Sequence, residues 1–148
     1  MTIYFDMDGT IADLYSVPNW LGKILAEDSS PYDQAEPMVD TLYFENLLMK
    51  LKDKGYKFGI ISWGSKYSTE KFVEKVRKSK LNWLKKNLPN VVFDELIIID
   101  YSCNKTSVAK DPFGILFDDD KLIRKFWPGE SYAPEEMIDV LERLLKEE

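Results

Sequence analysis

"IYFDMDGTIADL" (residues 3–14) joins an apolar, β-rich run to two aspartates one residue apart, Asp6 and Asp8, followed by Gly9 and Thr10. Taken alone, two such aspartates are explained equally well by a turn or helix cap and by an active site. The rest of the chain separates the two readings.

Outward from this stretch, apolar strands alternate with helical patterns. "TIYFD" (2–6), "YKFGIIS" (56–62), "LIIID" (96–100) and "FGILFDDD" (113–120) read as strands. Residues 39–55 read as a helix, with Val39, Leu42, Tyr43, Leu47, Leu48 and Leu51 on one stripe, Asp40 as its cap and Gly55 as its stop. A second helix spans 68–89, with Ser68 as cap and Pro89 just past its end. A third spans 133–148, with Pro134 in its first turn. Strands separated by helices imply crossover connections. The expectation is therefore an α/β, three-layer Rossmann-like fold with a mainly parallel sheet. No linker or repeat divides residues 1–148, so one domain is expected. The least regular stretch, 15–38, reads as a small cap insertion near the strand tips.

Composition narrows the chemistry. Apolar residues make up 45% and charged residues 31% of 148, as in ordinary globular proteins. No apolar run is long enough to span a bilayer, so no membrane partner is expected. The chain opens on no leader-like segment, and the single Cys103 can form no internal disulfide; both fit a cytoplasmic setting. A net charge of -6 without a basic block disfavours duplex DNA as a partner. There is no histidine, which excludes Ser-His-Asp and Cys-His catalysis and His-based metal sites. Any chemistry must be carried by Asp, Glu, Lys, Ser and Thr.

In open α/β sheets, ligands bind beyond the carboxyl ends of the strands. Asp6, Ser62, Asp100 and Asp118–Asp119–Asp120 end the four expected strands. Carboxylates gathered in a small volume repel one another unless a cation lies between them, and a hard oxygen set suits Mg2+. Ser62 and a lysine would supply a donor and a fixed charge for a phosphate. The constellation suits phosphoryl transfer through an aspartyl-phosphate.

These motifs resemble the haloacid dehalogenase (HAD) superfamily of phosphohydrolases. "DMDGT" (6–10) is similar to its first motif, "GIIS" (59–62) to its second, Lys105 or Lys110 to its third and "ILFDD" (115–119) to its fourth. The resemblance implies Asp6 as nucleophile and Asp8 as general acid/base. It implies a magnesium ion held by Asp6, the backbone carbonyl of Asp8, Asp118 and Asp119, and a phosphoryl group bound by Ser62 and the lysine. "WLKKNLP" (83–89), "ELIIID" (95–100) and "NKT" (104–106), together with the "DMDGTIADL" start, resemble the 5'(3')-deoxyribonucleotidase branch. That likeness implies a small phosphate ester, such as a nucleotide, as substrate. The insertion between the first two motifs is short, so water exclusion would fall to the substrate, a loop or a second copy in a homo-oligomer. Such an open site also suits the phosphorylated end of a nucleic acid.

Three further readings follow from position. Lys105 comes just after the third strand, at the catalytic edge, with Asn104 able to cap a short helix; Lys110 precedes "DPFG" and should lie away from it, the helix ending near Asp111. Asp120 reads as a capping residue, and Trp63, next to Ser62, as a candidate substrate contact. A phospho-accepting receiver domain uses similar groups but carries its acceptor on a later strand than Asp6. A catalytically idle binding domain on the same fold is the other alternative.

Overall fold

A computed structural model describes residues 1–66 and 69–147. Its centre is a sheet of five parallel strands, β1 (Thr2–Phe5), β4 (Lys57–Trp63), β5 (Glu95–Ile99), β6 (Ile115–Phe117) and β7 (Ser131–Tyr132), in the order β5-β4-β1-β6-β7. A separate antiparallel pair joins β2 (Ala12–Asp13) to β3 (Glu36–Pro37). It brings together the two ends of the insertion, which itself holds α1 (Trp20–Leu25) and α2 (Ser30–Gln34). The remaining helices are α3 (Thr41–Asp53), α4 (Glu70–Asn87), α5 (Lys105–Val108), α6 (Lys121–Phe126) and α7 (Met137–Lys146). Among the described residues no helix is long and apolar enough to cross a membrane.

Alternate strand residues face opposite sides of the sheet, and both sides are covered. Ile3, Phe5, Phe58, Ile60, Ile115 and Phe117 belong to the main core, with residues of α3, α4 and α7. Tyr4, Ile61 and Leu116 pack on the other side with Trp127 and, at its margin, Val108 and Ile123. The result is an α/β, Rossmann-like sheet flanked by helices. The chain steps from β1 to β4 and β5 on one side, then crosses back to β6 on the other. Strand order therefore reverses at β1, where such sheets bind ligands.

The structure moves several expected boundaries, each for a local reason. The buried stripe of α3 is Phe44, Leu47, Leu48 and Leu51; Leu42 and Tyr43, assigned to it from sequence, are 78% and 43% exposed. Residues 44, 47, 48 and 51 keep the helical spacing, whereas 42 and 43 turn out of it in the first turn. Asp40 does cap the helix, accepting from the Tyr43 amide at 3.3 Å. The cap of α4 is Thr69, whose hydroxyl accepts from the Phe72 amide at 3.2 Å; Ser68, expected there, lies outside the described residues. The fourth strand is only Ile115–Phe117, because Asp120 already caps α6, accepting from the Leu122 amide at 2.8 Å. The helix at Lys105 stops at Val108, three residues early. The Lys110 and Asp111 amides are taken instead by Glu95 Oε1 at 3.0 Å and the Tyr4 hydroxyl at 2.9 Å.

The corrected stripe of α3 predicts a sharp contrast. Phe44 is fully buried and meets Phe5 edge-on at 5.3 Å. Phe44→Ala should destabilise the fold by about 3–5 kcal/mol, and Leu42→Ala by no more than about 0.5 kcal/mol, in urea unfolding. Equal losses at the two positions would restore the sequence-derived stripe.

Candidate functional site

The site begins with the turn after β1. The Asp6 amide donates to the Phe117 carbonyl at 2.9 Å, which sets Asp6 against the end of β6. Met7 points into the core, and the amides of Thr10, Ile11 and Ala12 converge on its carbonyl at 3.1, 3.0 and 3.0 Å. With Met7 inward, the side chains of Asp6 and Asp8 remain at the strand tips. Gly9 has φ +80°, and a Cβ there would collide with the Asp119 carboxylate, so glycine is required on both counts. The Thr10 hydroxyl donates to Asp6 Oδ2 at 3.3 Å.

Lys105 binds two strand ends together. It opens α5, whose cap Asn104 accepts from the Thr106 amide at 2.9 Å. Its ammonium lies 3.1 Å from Asp6 Oδ1 and 2.7 Å from Asp118 Oδ2, with only 4% of the residue exposed. Burial alone would lower the Lys105 pKa, but Asp6 and Asp118 more than offset it, and the net shift is upward. Lys110 is exposed and contributes only its backbone amide, to Glu95. Of the two candidate lysines, Lys105 is the one at the carboxylates.

Carboxylate oxygens of Asp6, Asp118 and Asp119 all lie within 4.8 Å of one another. Partial loss of hydration at the cavity floor, then the nearby charge of Asp6, pushes both the buried Asp118 and the more exposed Asp119 above the usual carboxylate range; Asp118 adds to the shift of Asp119. Three hard oxygen donors in one small volume fit a divalent cation, which would relieve the same repulsion. Asp120 lines the neighbouring cavity, but its carboxylate is engaged in capping α6. Asp100 borders a different cavity.

Asp8 is held by a residue that the sequence reading missed. Lys80 of α4, 1% exposed, donates to Asp8 Oδ2 at 2.9 Å, Ser62 Oγ at 2.7 Å and the Trp63 carbonyl at 2.7 Å. A signal existed. Phe72, Val76, Lys80 and Leu84 recur every four residues, so a lysine stands on the buried stripe of α4. Burial raises the Asp8 pKa and Asp6 adds to this, while Lys80 opposes both. Ser62, expected from the sequence to bind a phosphoryl group, is fully buried with its hydroxyl accepting from Lys80, and it does not line the cavity above these groups.

Above these groups lies a cavity of about 620 Å³. Asp6, Asp8, Lys105, Asp118 and Asp119 line its floor. The insertion supplies one wall, including Tyr15, Trp20, Leu21 and Tyr32. Trp63 and Tyr101 supply another, their rings 5.1 Å apart, with the Trp63 indole fixed by donation to the Cys103 carbonyl at 2.9 Å. Trp63 thus lines the cavity beside the polar floor.

Comparison of the chain with protein-family models and with curated proteins finds no match.

The raised pKa values of Asp118 and Asp119 fix the sign of a pH effect. A carboxyl whose folded pKa is raised holds its proton longer in the folded chain than in the unfolded one. Its contribution to stability is therefore present at low pH and lost as pH rises from the ordinary value, near 4, through the raised one. In a chelator, the melting temperature of the wild type should fall between pH 5 and pH 8 by more than that of Asp119→Asn. Millimolar magnesium should shrink the difference. A wild-type melting curve no more pH-sensitive than that of Asp119→Asn would overturn the clustering.

Proposed function

We propose that the protein is a magnesium-dependent phosphomonoester hydrolase of the haloacid dehalogenase type, working through an aspartyl-phosphate on Asp6. The observation that carries this reading is the Lys105 ammonium buried between Asp6 and Asp118, with Asp119 beside them, at the strand-order reversal of a parallel sheet. A structural turn needs neither a buried lysine nor three converging carboxylates.

Magnesium would be held by Asp6, Asp118 and Asp119, with the Asp8 carbonyl as a fourth donor on the family resemblance. It would neutralise charge on the phosphoryl oxygens. Asp6 attacks phosphorus as a carboxylate, and the bond from phosphorus to the ester oxygen breaks. Asp8 passes its proton to that departing oxygen. The resulting Asp8 carboxylate then takes a proton from water, which attacks the aspartyl-phosphate, releases inorganic phosphate and restores Asp6. The fixed charge of Lys105 screens Asp6 from the incoming phosphate dianion. The family resemblance gives Ser62 a phosphoryl oxygen to orient, but Ser62 is fully buried with its hydroxyl on Lys80 and does not line the cavity, so it takes no part in this scheme.

The cavity favours a small ester. Its volume of about 620 Å³ lies in the range of small-molecule sites, and its walls are aromatic. Trp63 and Tyr101, their rings tilted 58° to one another, offer aromatic surface to the planar base of a leaving nucleoside, which supports a nucleoside monophosphate over a bulky nucleic-acid end.

Hydrolysis of nucleoside monophosphates and of p-nitrophenyl phosphate tests the assignment. Turnover should require magnesium, and calcium should inhibit because its looser coordination misplaces nucleophile and phosphate. Asp6→Asn should abolish turnover while the protein stays folded. Lys105→Ala should lower kcat by about 10²–10³-fold, the scale for a lost preorganised charge partner. Lys110→Ala should stay near wild type. Undiminished turnover in Asp6→Asn would remove Asp6 as nucleophile.

A further inference from the structure

Lys80 is a buried cation that the reaction above does not use. An ammonium has three hydrogens, and Lys80 has three acceptors at hydrogen-bond distance: Ser62 Oγ, the Trp63 carbonyl and Asp8 Oδ2. None is left over for a substrate. Two of these acceptors belong to β4, so the ammonium is fixed to the sheet. The Tyr32 ring of the insertion packs over it at 5.2 Å. Its aliphatic stem rises from the α4 stripe between Val76 and Leu84. A lysine buried in this way is unfavourable unless its charge is balanced, and Asp8 is the carboxylate that balances it.

We propose that Lys80 is a positioning residue that acts through Asp8. It pins Oδ2, so that Oδ1 is the oxygen presented to the departing ester oxygen, and it stabilises the carboxylate that remains when the proton has gone. This role rests on the phosphohydrolase reading and deepens it. As the bond from phosphorus to the ester oxygen breaks, the proton on Asp8 moves to that oxygen. The negative charge left on Asp8 then lies 2.9 Å from a fixed positive one. Lys80 contributes most where proton donation matters most, with poor leaving groups.

The test is a double-mutant cycle read on two leaving groups by single-turnover phosphorylation. Lys80→Met keeps most of the unbranched stem, one atom shorter, and removes its charge. It should slow transfer from an alkyl phosphate by about 10- to 100-fold and from p-nitrophenyl phosphate by far less. In an Asp8→Asn background the same change should add little, because the group it acts through is gone. A merely structural lysine would give the same factor for both esters and in both backgrounds, and that result overturns the proposal. If Lys80→Met does not fold, Lys80→Gln enters the same cycle. If neither folds, Lys80 is structural and the proposal falls. Absence of turnover by the wild type overturns the phosphohydrolase reading and this role with it, whereas wild-type turnover with additive losses overturns this role alone.

Discussion

The ammonium of Lys105 stands between carboxylates that belong to two different strands, 3.1 Å from Asp6 and 2.7 Å from Asp118. Parallel pairing of β1 with β6 forces these side chains together, since the register that aligns Phe5 with Phe117 puts the next residue of each strand side by side at the sheet edge. Two buried carboxylates so close would each suffer desolvation and mutual repulsion. A lysine delivered by the next crossover offsets both. That helix need be only one turn long, because its task is to aim a single ammonium. Its early end, enforced by Glu95 and Tyr4, lets the chain drop back to the start of β6 at once.

The insertion is fixed to the same framework from the opposite side. Ser79, next to Lys80, donates to Asp33 of α2 at 2.7 Å, and the Trp83 indole donates to the Ala35 carbonyl at 2.7 Å. The side of α4 that buries Lys80 therefore also holds α2 in place. Tyr32 follows from this, since it lies on α2, lines the cavity and packs over the Lys80 ammonium. One helix thus sets both the floor of the cavity, through Asp8, and part of its wall.

The sequence made the strand ends legible because a parallel strand covered on both faces must be apolar along its length, so a polar residue at its tip stands out. Asp6 and Asp118 stand out in this way, and the cap at Asn104 separates Lys105 from Lys110; Ser62 lies one residue inside β4 and is buried. Helix faces were less legible. Leu42 and Tyr43 look apolar but face outward, because which turn of an amphipathic helix is covered depends on its neighbours. The short elements α1, α2, α6 and β7 have too few residues for a period to declare itself. Lys80 was hidden for another reason. It lies among the many lysines of "EKFVEKVRKSKLNWLKK", where the default reading is a solvated face. Only its position in the four-residue recurrence of Phe72, Val76 and Leu84 sets it apart.

The balance of charge at the site ties these features to the proposed chemistry. Four carboxylates, Asp6, Asp8, Asp118 and Asp119, face two buried ammonium groups, Lys80 and Lys105. With every group ionised, two negative charges remain uncompensated. Protonation can remove them, and lost hydration followed by this repulsion raises the pKa values of Asp8, Asp118 and Asp119 in that direction. A divalent cation can remove them as well, and it is the better solution for three of the carboxylates because it needs no proton and accepts further oxygen ligands. Asp8 is the exception. Its partner is Lys80, and it stands outside the triad of Asp6, Asp118 and Asp119. A site filled by a cation would thus neutralise the triad and still leave one carboxyl free to gain and lose a proton. Phosphoryl transfer through an aspartate needs that division of labour: one carboxylate kept ionised for attack, and a second kept apart to move the proton.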